Sequence, residues 1–313
     1  MRNACISFLL LSLACSPTPQ SNDADAGTNE PPDAGGNTGP LVVTMATWNT
    51  HLFWDKTCNS GNCDPDDFEQ VLSSSEFEAK ADEVADGIRG LEADVVTLQE
   101  IESQECLDAL KTRLPEYTVA VLGELGTDAS VDTAVMAKGT LMATHSHKDQ
   151  TLYREDGSST RFSREFLEVH VGLEGHRVIV FSAHFRSKAN DDPGRRLAEA
   201  KAAKQIMTAV ANTYPDATVL MGGDLNDVPG SPPIDALEEG DALLRVASEL
   251  PGDDDATYTF QGTPEAIDHI FAVTSSRGQY VSGTVEVMKE GTVRRWAGSD
   301  HAAVRAQFSL TPQ

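Results

Sequence analysis

Positive charge is what this 313-residue sequence lacks most: 24 lysines and arginines face 49 aspartates and glutamates, for a net charge of −25. That balance excludes a protein that grips polyanions through its overall field, so a phosphate-bearing substrate must be held locally, by a metal ion or a few arginines. Long apolar runs are missing too. The stretch Ala4 to Ala14 falls short of the ~20 residues that span a bilayer, which removes a polytopic membrane protein. There is no internal repeat, and a collagen or coiled-coil composition is absent. With 40% hydrophobic and 23% charged residues and a mean hydropathy of −0.30, most of the chain reads as an ordinary globular body.

What the amino end has is an export signature. Arg2 precedes the apolar run, which closes on Leu11-Ser12-Leu13-Ala14-Cys15. This resembles a bacterial lipoprotein cleavage box, with Ser12 where leucine is commoner. Residues 1–15 are therefore expected to be a signal peptide and Cys15 the lipidated first residue of a membrane-anchored envelope protein; a plain signal would instead release a secreted one. From Ser16 to Pro40 the only apolar side chains are three alanines. Such a segment cannot offset its ordering entropy and reads as a disordered tether. Residues 41–313 remain as one catalytic-size domain. Removing Arg2 and the four tether acids takes 49 acids and 24 bases to 45 and 23, so this body itself carries −22.

Cysteines are few. Beyond Cys5 and Cys15 stand Cys58, Cys63 and Cys106. In an exported chain Cys58 and Cys63 could close a small disulfide across the intervening Gly61, leaving Cys106 over; no second ligand pair at suitable spacing supports a zinc site.

Strand-like segments fall at Leu41 to Thr47, Asp94 to Leu98, Tyr117 to Leu122, Thr133 to Ala137, Phe166 to Gly172, Arg177 to Ser182, Thr218 to Met221, Ile270 to Val273, Tyr280 to Val287 and Ala302 to Leu310. Helical spacing runs from Phe77 to Leu91, and from Leu197 to Val210 after an Asp192-Pro193 start. Helices therefore cover strands. Asn49, Gln99-Glu100, His184 and Gly222-Gly223-Asp224-Leu225-Asn226 each follow a strand, whereas Asp268 and Asp300-His301 precede one. If the last two strands run antiparallel to the others, all six clusters open onto one rim.

Carboxylates, amides and two histidines on one rim suit a hard divalent cation and phosphate. Mg²⁺ takes oxygen ligands and keeps waters, and Glu100, Asp300 and Asn49 supply such a shell. Asp224, Asn226, His184 and His301 are of the types needed to activate water and stabilise a leaving oxygen. Trp48-Asn49, Leu98-Gln99-Glu100-Ile101, Ser182-Ala183-His184, Gly223-Asp224-Leu225-Asn226-Asp227, Ile267-Asp268-His269-Ile270 and Ser299-Asp300-His301 occur in the order of the endonuclease/exonuclease/phosphatase superfamily, which the chain thus resembles from Thr47 to Phe308. The resemblance implies an α/β four-layer αββα sandwich, two mixed sheets face to face with helices on both outer faces. It implies Glu100 as the principal metal carboxylate, with Asn49 and Asp300 completing the metal site. Asp224 and Asn226 would position the attacking water, and His301, oriented by Asp268, would contact phosphate and transfer protons. His184 would aid the leaving group, as in the deoxyribonuclease and sphingomyelinase branches; the abasic-site branch often has tyrosine there.

Arg195 and Arg196 sit in the first turn of a helix, where the dipole disfavours cations, so a partner should compensate. Arg186, Lys188, Arg195, Arg196 and Arg164 could form a phosphate-facing patch, or pair instead with Asp191, Asp192 and Glu199. His145, His147, His170 and His176 read as structural or surface residues, as do His51 and His269, which lie nearest the rim. The expectation is a monomeric Mg²⁺-dependent nuclease, with Mn²⁺ or Ca²⁺ as possible replacements, that cleaves DNA or RNA by in-line attack of water. A sphingomyelinase-type phospholipase C, an inositol phosphate phosphatase and a non-catalytic surface lipoprotein are alternatives. A calcineurin-like phosphatase would carry Gly-Asn-His, which this chain lacks.

Overall fold

The structure, a computed structural model, describes residues 41–127, 129–189 and 191–310; the expected signal, Cys15 and tether lie outside them. The chain runs β1 Leu41–Phe53, α1 Ser74–Leu91, β2 Val95–Ile101, α2 Gln104–Arg113, β3 Val119–Gly123, β4 Asp132–Ala137 and β5 Thr140–His145. A hairpin of β6 Leu152–Tyr153 and β7 Ser159–Thr160 leads to β8 Leu167–Leu173, β9 His176–His184, α3 Pro193–Thr213, β10 Thr218–Asp224, α4 Pro232–Glu238 and β11 Leu243–Arg245. A second hairpin, β12 Tyr258–Phe260 and β13 Thr263–Glu265, precedes β14 Asp268–Val273, β15 Gln279–Tyr280, β16 Glu286–Met288 and β17 Ala303–Leu310.

Alternation along the strands builds the layers. Val43 and Met45 of β1 join Val95, Val180, Leu220 and Ile270 in an apolar cluster between two sheets. Ala46 and Trp48 point the other way, with Val96 and Leu98, against Phe77, Ala81 and Ile88 of α1 and Leu107 of α2. On the opposite outer face Ile179, Phe181, Val219 and Met221 pack beneath Ala200, Ala203 and Met207 of α3 and Ile234 of α4. The result is the helix–sheet–sheet–helix sandwich expected. One sheet is ordered β15-β17-β1-β2-β4-β3, with β16 also on β17, and the other β11-β14-β10-β9-β8-β5. Both are mixed: β1 is parallel to β2 and antiparallel to β17, and β10 is parallel to β9 and antiparallel to β14. The two strands that follow Asp268 and His301 therefore do run against their neighbours.

Local chemistry sets the helix starts. Ser73 caps α1, accepting from Glu76 N–H while the Glu76 side chain returns to the Ser73 N–H. Asp192 accepts from Arg195 N–H ahead of Pro193 at the start of α3. The stretch Tyr280 to Val287, expected as one strand, is two short ones: a turn at Gly283, whose φ is +81°, separates β15 from β16. Strand β5 was not expected, and five of its six residues are exposed, which erases the alternation that marks a half-buried strand.

The loop between β1 and α1 is tied down by the Cys58–Cys63 disulfide, and Cys106 is free and buried. Its residues Asn59 and Ser60 donate backbone N–H groups to Glu69, and Asn59 Nδ2 reaches Glu102 Oε1 at 3.4 Å. Burial pushes the Glu102 carboxyl up to about 7, with the charges of Asp55 and Glu69 adding to it. A carboxyl with a raised folded-state pKa holds its proton while the unfolded chain has already lost it, so stability falls as pH rises from about 4.5 towards 7. Glu102→Gln is therefore expected to stabilise the fold above pH 7 by on the order of 2 kcal/mol and to be neutral below pH ~4. Thermal unfolding across that range checks this, and identical pH slopes in the two proteins would refute it.

Candidate active site

Between the sheets, side chains change from apolar to polar as each strand nears one mouth. The inward rows read Met45-Thr47-Asn49, Val95-Thr97-Gln99, Val180-Ser182-His184 and Leu220-Gly222-Asp224, and all twelve residues are buried. The sheets touch there: Gln99 Nε2 lies 3.4 Å from Thr47 Oγ1 and 3.5 Å from Ser182 Oγ. Gly222 makes that approach possible, because a Cβ on it would sit 2.5 Å from Thr97 Oγ1 and 2.9 Å from Met45 Cε.

Glu100 departs from this alternation. On a regular β2 it would share the outward face of Leu98, but it lies at a register shift between β1 and β2 with φ +66°. This left-handed bulge turns the carboxylate into the mouth. Glu100 Oε1 accepts from Asn49 Nδ2 at 3.1 Å and Oε2 from the Leu52 N–H at 2.8 Å. Asn49 Nδ2 also bonds Asp224 Oδ2 at 3.1 Å, and its Oδ1 accepts from the His51 N–H. Asn49 is thus a fully buried bridge between two carboxylates, its oxygen already engaged, and it does not line the cleft.

Asp224 stands at the centre. Its Oδ1 accepts from the Asn226 N–H at 2.8 Å, and its Oδ2 lies 3.6 Å from His184 Nε2. Burial and the neighbouring Asp268 charge push it up to about 7. His301 Nδ1 is 2.8 Å from Asp268 Oδ2, which also accepts from Thr257 Oγ1 at 2.6 Å. Burial alone would lower His301, but the carboxylates of Asp268, Asp224 and Asp300 overcome it and push the imidazole up to about 10. His184 goes the other way, held well below the ordinary histidine value by burial and by the positive Arg164 and His301. One charged and one neutral imidazole thus share the site. Ser299 Oγ donates to the Asn49 carbonyl at 2.7 Å and accepts from the His301 N–H, linking the ends of β1 and β17.

A cleft of about 440 Å³ opens above these groups. His51, Glu100, Arg164, His184, Arg186, Asp224, Asn226, Asp300 and His301 all face it, so eight of the sequence-derived site residues line one cleft, with Asp268 and Asn49 bonded directly behind them. His51 departs from the structural or surface role expected of it: its Nδ1 lies 3.0 Å from Asp300 Oδ1 inside the cleft. His269 is structural as expected, buried with Nε2 on the Asp227 carbonyl. Arg195 does not join the phosphate-facing patch. Its guanidinium is spent on the carbonyls of Arg161 and Phe162, both at 3.0 Å, and lies 3.7 Å from Glu199. Arg196 stays out of the patch too, buried and compensated by Asp227 and Asp191 at 2.7 and 2.8 Å.

Other residues shape the site as well. Glu199 of α3, fully buried, accepts from the Ser163 N–H at 2.6 Å and the Arg186 N–H at 2.8 Å, so one carboxylate pins both loops that bring arginines to the cleft. Tyr258 packs against His301 with ring centres 4.8 Å apart and the ring planes tilted by 34°. Phe68 and Phe260, 60% and 51% exposed, stand on the rim.

A sequence model described as Endonuclease/Exonuclease/phosphatase family matches residues 46–301. No curated protein matches the chain. Among solved structures, an endonuclease/exonuclease/phosphatase family protein from Bacteroides thetaiotaomicron has 15% identity and a TM-score of 0.61, covering 87% of this chain and 99% of its own. D. rerio TDP2 complexed with a single-strand DNA product has 15% identity and a TM-score of 0.59, covering 86% and 99%. The human Nocturnin catalytic domain with bound sulfate has 14% identity and a TM-score of 0.60, covering 87% and 96%. At these identities the likeness speaks for the fold.

Proposed function

We propose a metal-dependent phosphodiester hydrolase for this cleft, on the premise that the chain belongs to the endonuclease/exonuclease/phosphatase family. A hydrolytic phosphoesterase is the activity that membership supports. The finer reading, a nuclease that opens P–O bonds in DNA or RNA by in-line attack of water, takes its chemistry from one observation. Asp224, with a pKa near neutrality, lies beside a neutral His184 and a charged His301 in a cleft also lined by Glu100 and Asp300.

Glu100 and Asp300 are the residues that would hold the cation. Both are hard oxygen donors facing the cleft without a thiolate beside them, which suits Mg²⁺, with Mn²⁺ or Ca²⁺ as substitutes. Asp224, Asp268 and His301 lie within 4.8 Å of one another and form a tighter group, but Asp268 Oδ2 is committed to His301 and Thr257. When bound, the cation would neutralise charge growing on the phosphoryl oxygens. Asn49 sets Glu100 and Asp224 relative to one another through a single amide. Asp224 would take the proton of the attacking water, with Asn226 beside it. His301, kept cationic by Asp268, would face the equatorial phosphate oxygens. His184 would donate a hydrogen bond to the departing oxygen. Arg164 and Arg186 supply cationic donors in the same cleft.

Nucleic acid is favoured because the exposed rings of Phe68 and Phe260 border a cleft that also carries these arginines, the pairing of stacking faces and cations that single strands use. The solved TDP2 complex holds a single-strand DNA product. The same exposed rings would also suit a phospholipid beside a membrane. Parallel assays on single-stranded DNA, duplex DNA, RNA and sphingomyelin, each with and without chelator, separate the two: release from sphingomyelin alone would overturn the nuclease reading.

We also propose that the chain is an exported lipoprotein acylated on Cys15, supported by the apolar run, the cleavage-box residues and a Cys58–Cys63 disulfide suited to an oxidising compartment. Intact mass and detergent partitioning of the mature protein test this; an unmodified Cys15 in a soluble protein would refute it.

A further inference from the structure

We propose a second metal site, independent of the cleft, on the outer face of the other sheet, formed by His145, Glu168 and His170 and suited to Zn²⁺. Glu168 and His170 project from β8 on the same face as Phe181 and Ile179 of β9, the residues opposite them in register. His145 of β5 pairs directly with Glu168 across the strands. One ligand atom from each of the three lies within 4.8 Å of the others. Two imidazoles and a carboxylate are a known three-ligand set for zinc, with a fourth position left for water. His145 is exposed, which provides an entry path, whereas His170 is fully buried and Glu168 nearly so.

The surroundings fit a site rather than a chance ion pair. Glu168 has no arginine or lysine partner among the described residues; its oxygens meet only imidazoles, His170 Nε2 at 2.6 Å and His147 Nε2 at 2.8 Å. His147, packed on Phe166 and Phe181, would then hold the carboxylate oxygen that the metal does not take, the outer support that ligating carboxylates commonly have. Arg177 marks the cost of loading. Its Nη1 lies 3.3 Å from His170 Nδ1, and since arginine can only donate, the ring proton stays on Nε2 and points at Glu168. Metal uptake requires that proton to pass to Nδ1 and Arg177 to withdraw onto the Tyr214 ring, over which its guanidinium already lies 4.7 Å from the centre. The bound ion would clip β5, an edge strand with Leu141 and Met142 exposed, to the body of the sheet.

Isothermal titration of the chelator-treated full chain with Zn²⁺ in excess Mg²⁺, together with thermal unfolding, tests the site. One equivalent of Zn²⁺ should bind and raise Tm. His145→Ala, an exposed change, should remove that equivalent or weaken it by about 10- to 100-fold and abolish the Tm rise. Glu100→Gln should leave both intact, which separates this site from the cleft. Arg177→Met should tighten binding. Unchanged Zn²⁺ stoichiometry and affinity in His145→Ala, or loss of the equivalent in Glu100→Gln, would overturn the proposal.

Discussion

Exchanging Asp224 for asparagine is expected to lower kcat on a phosphodiester by roughly 10²- to 10⁴-fold while KM changes little. The amide keeps the volume of a residue buried beneath the cleft but cannot accept a proton, and proton acceptance is what a pKa near 7 prepares Asp224 to do. The effect should fall on kcat because Asp224 accepts a proton only as the reaction proceeds, whereas Arg164 and Arg186 would engage the phosphate already in the ground state. Steady-state kinetics of the variant, with circular dichroism to confirm the fold, measure it. Turnover within tenfold of the native rate would show that another group accepts the proton.

The second large effect concerns the cation. Chelation should abolish hydrolysis and Mg²⁺ should restore it. Glu100→Gln should raise the Mg²⁺ concentration for half-maximal rate by at least 10- to 100-fold, the loss typical even of supporting groups around a metal. Glutamine would still accept from Leu52 N–H at one position, so the bulge can survive; what goes is the charge that binds the ion. A Mg²⁺ titration of rate, paired with calorimetric Mg²⁺ binding, reads both arms. Full activity after exhaustive chelation would contradict the assignment of Glu100 and Asp300.

Much of this site is legible in the sequence, because its groups stand where β-branched or apolar runs end. Asn49 within β1, His184 as the last residue of β9 and Asp224 as the last of β10 each close a hydrophobic stretch, and period-two alternation carries them to the same inner face. The orientation of Glu100 could not be read, since nothing in Leu98-Gln99-Glu100-Ile101 marks a left-handed residue. Arg195 misled for a related reason: a cation near other cations in sequence found two backbone carbonyls, and carbonyl positions depend on the fold of a distant loop. Glu199 was hidden among alanines on a helix face that is buried on nearly every side. His51 follows Asn49 by two and would continue the inward row, but the bulge that gives it φ +57° decides where its ring goes.

The rows that run from Met45, Val95, Val180 and Leu220 towards the mouth place chemistry and core on the same pleat. Sliding any one of those strands by a single residue would trade its reactive group for a neighbour that belongs under a helix, while burying almost as much apolar surface. A population misfolded in this way would show native secondary structure and a native radius yet turn over nothing. The fraction of active molecules, rather than ellipticity, is therefore the quantity by which refolded material should be judged.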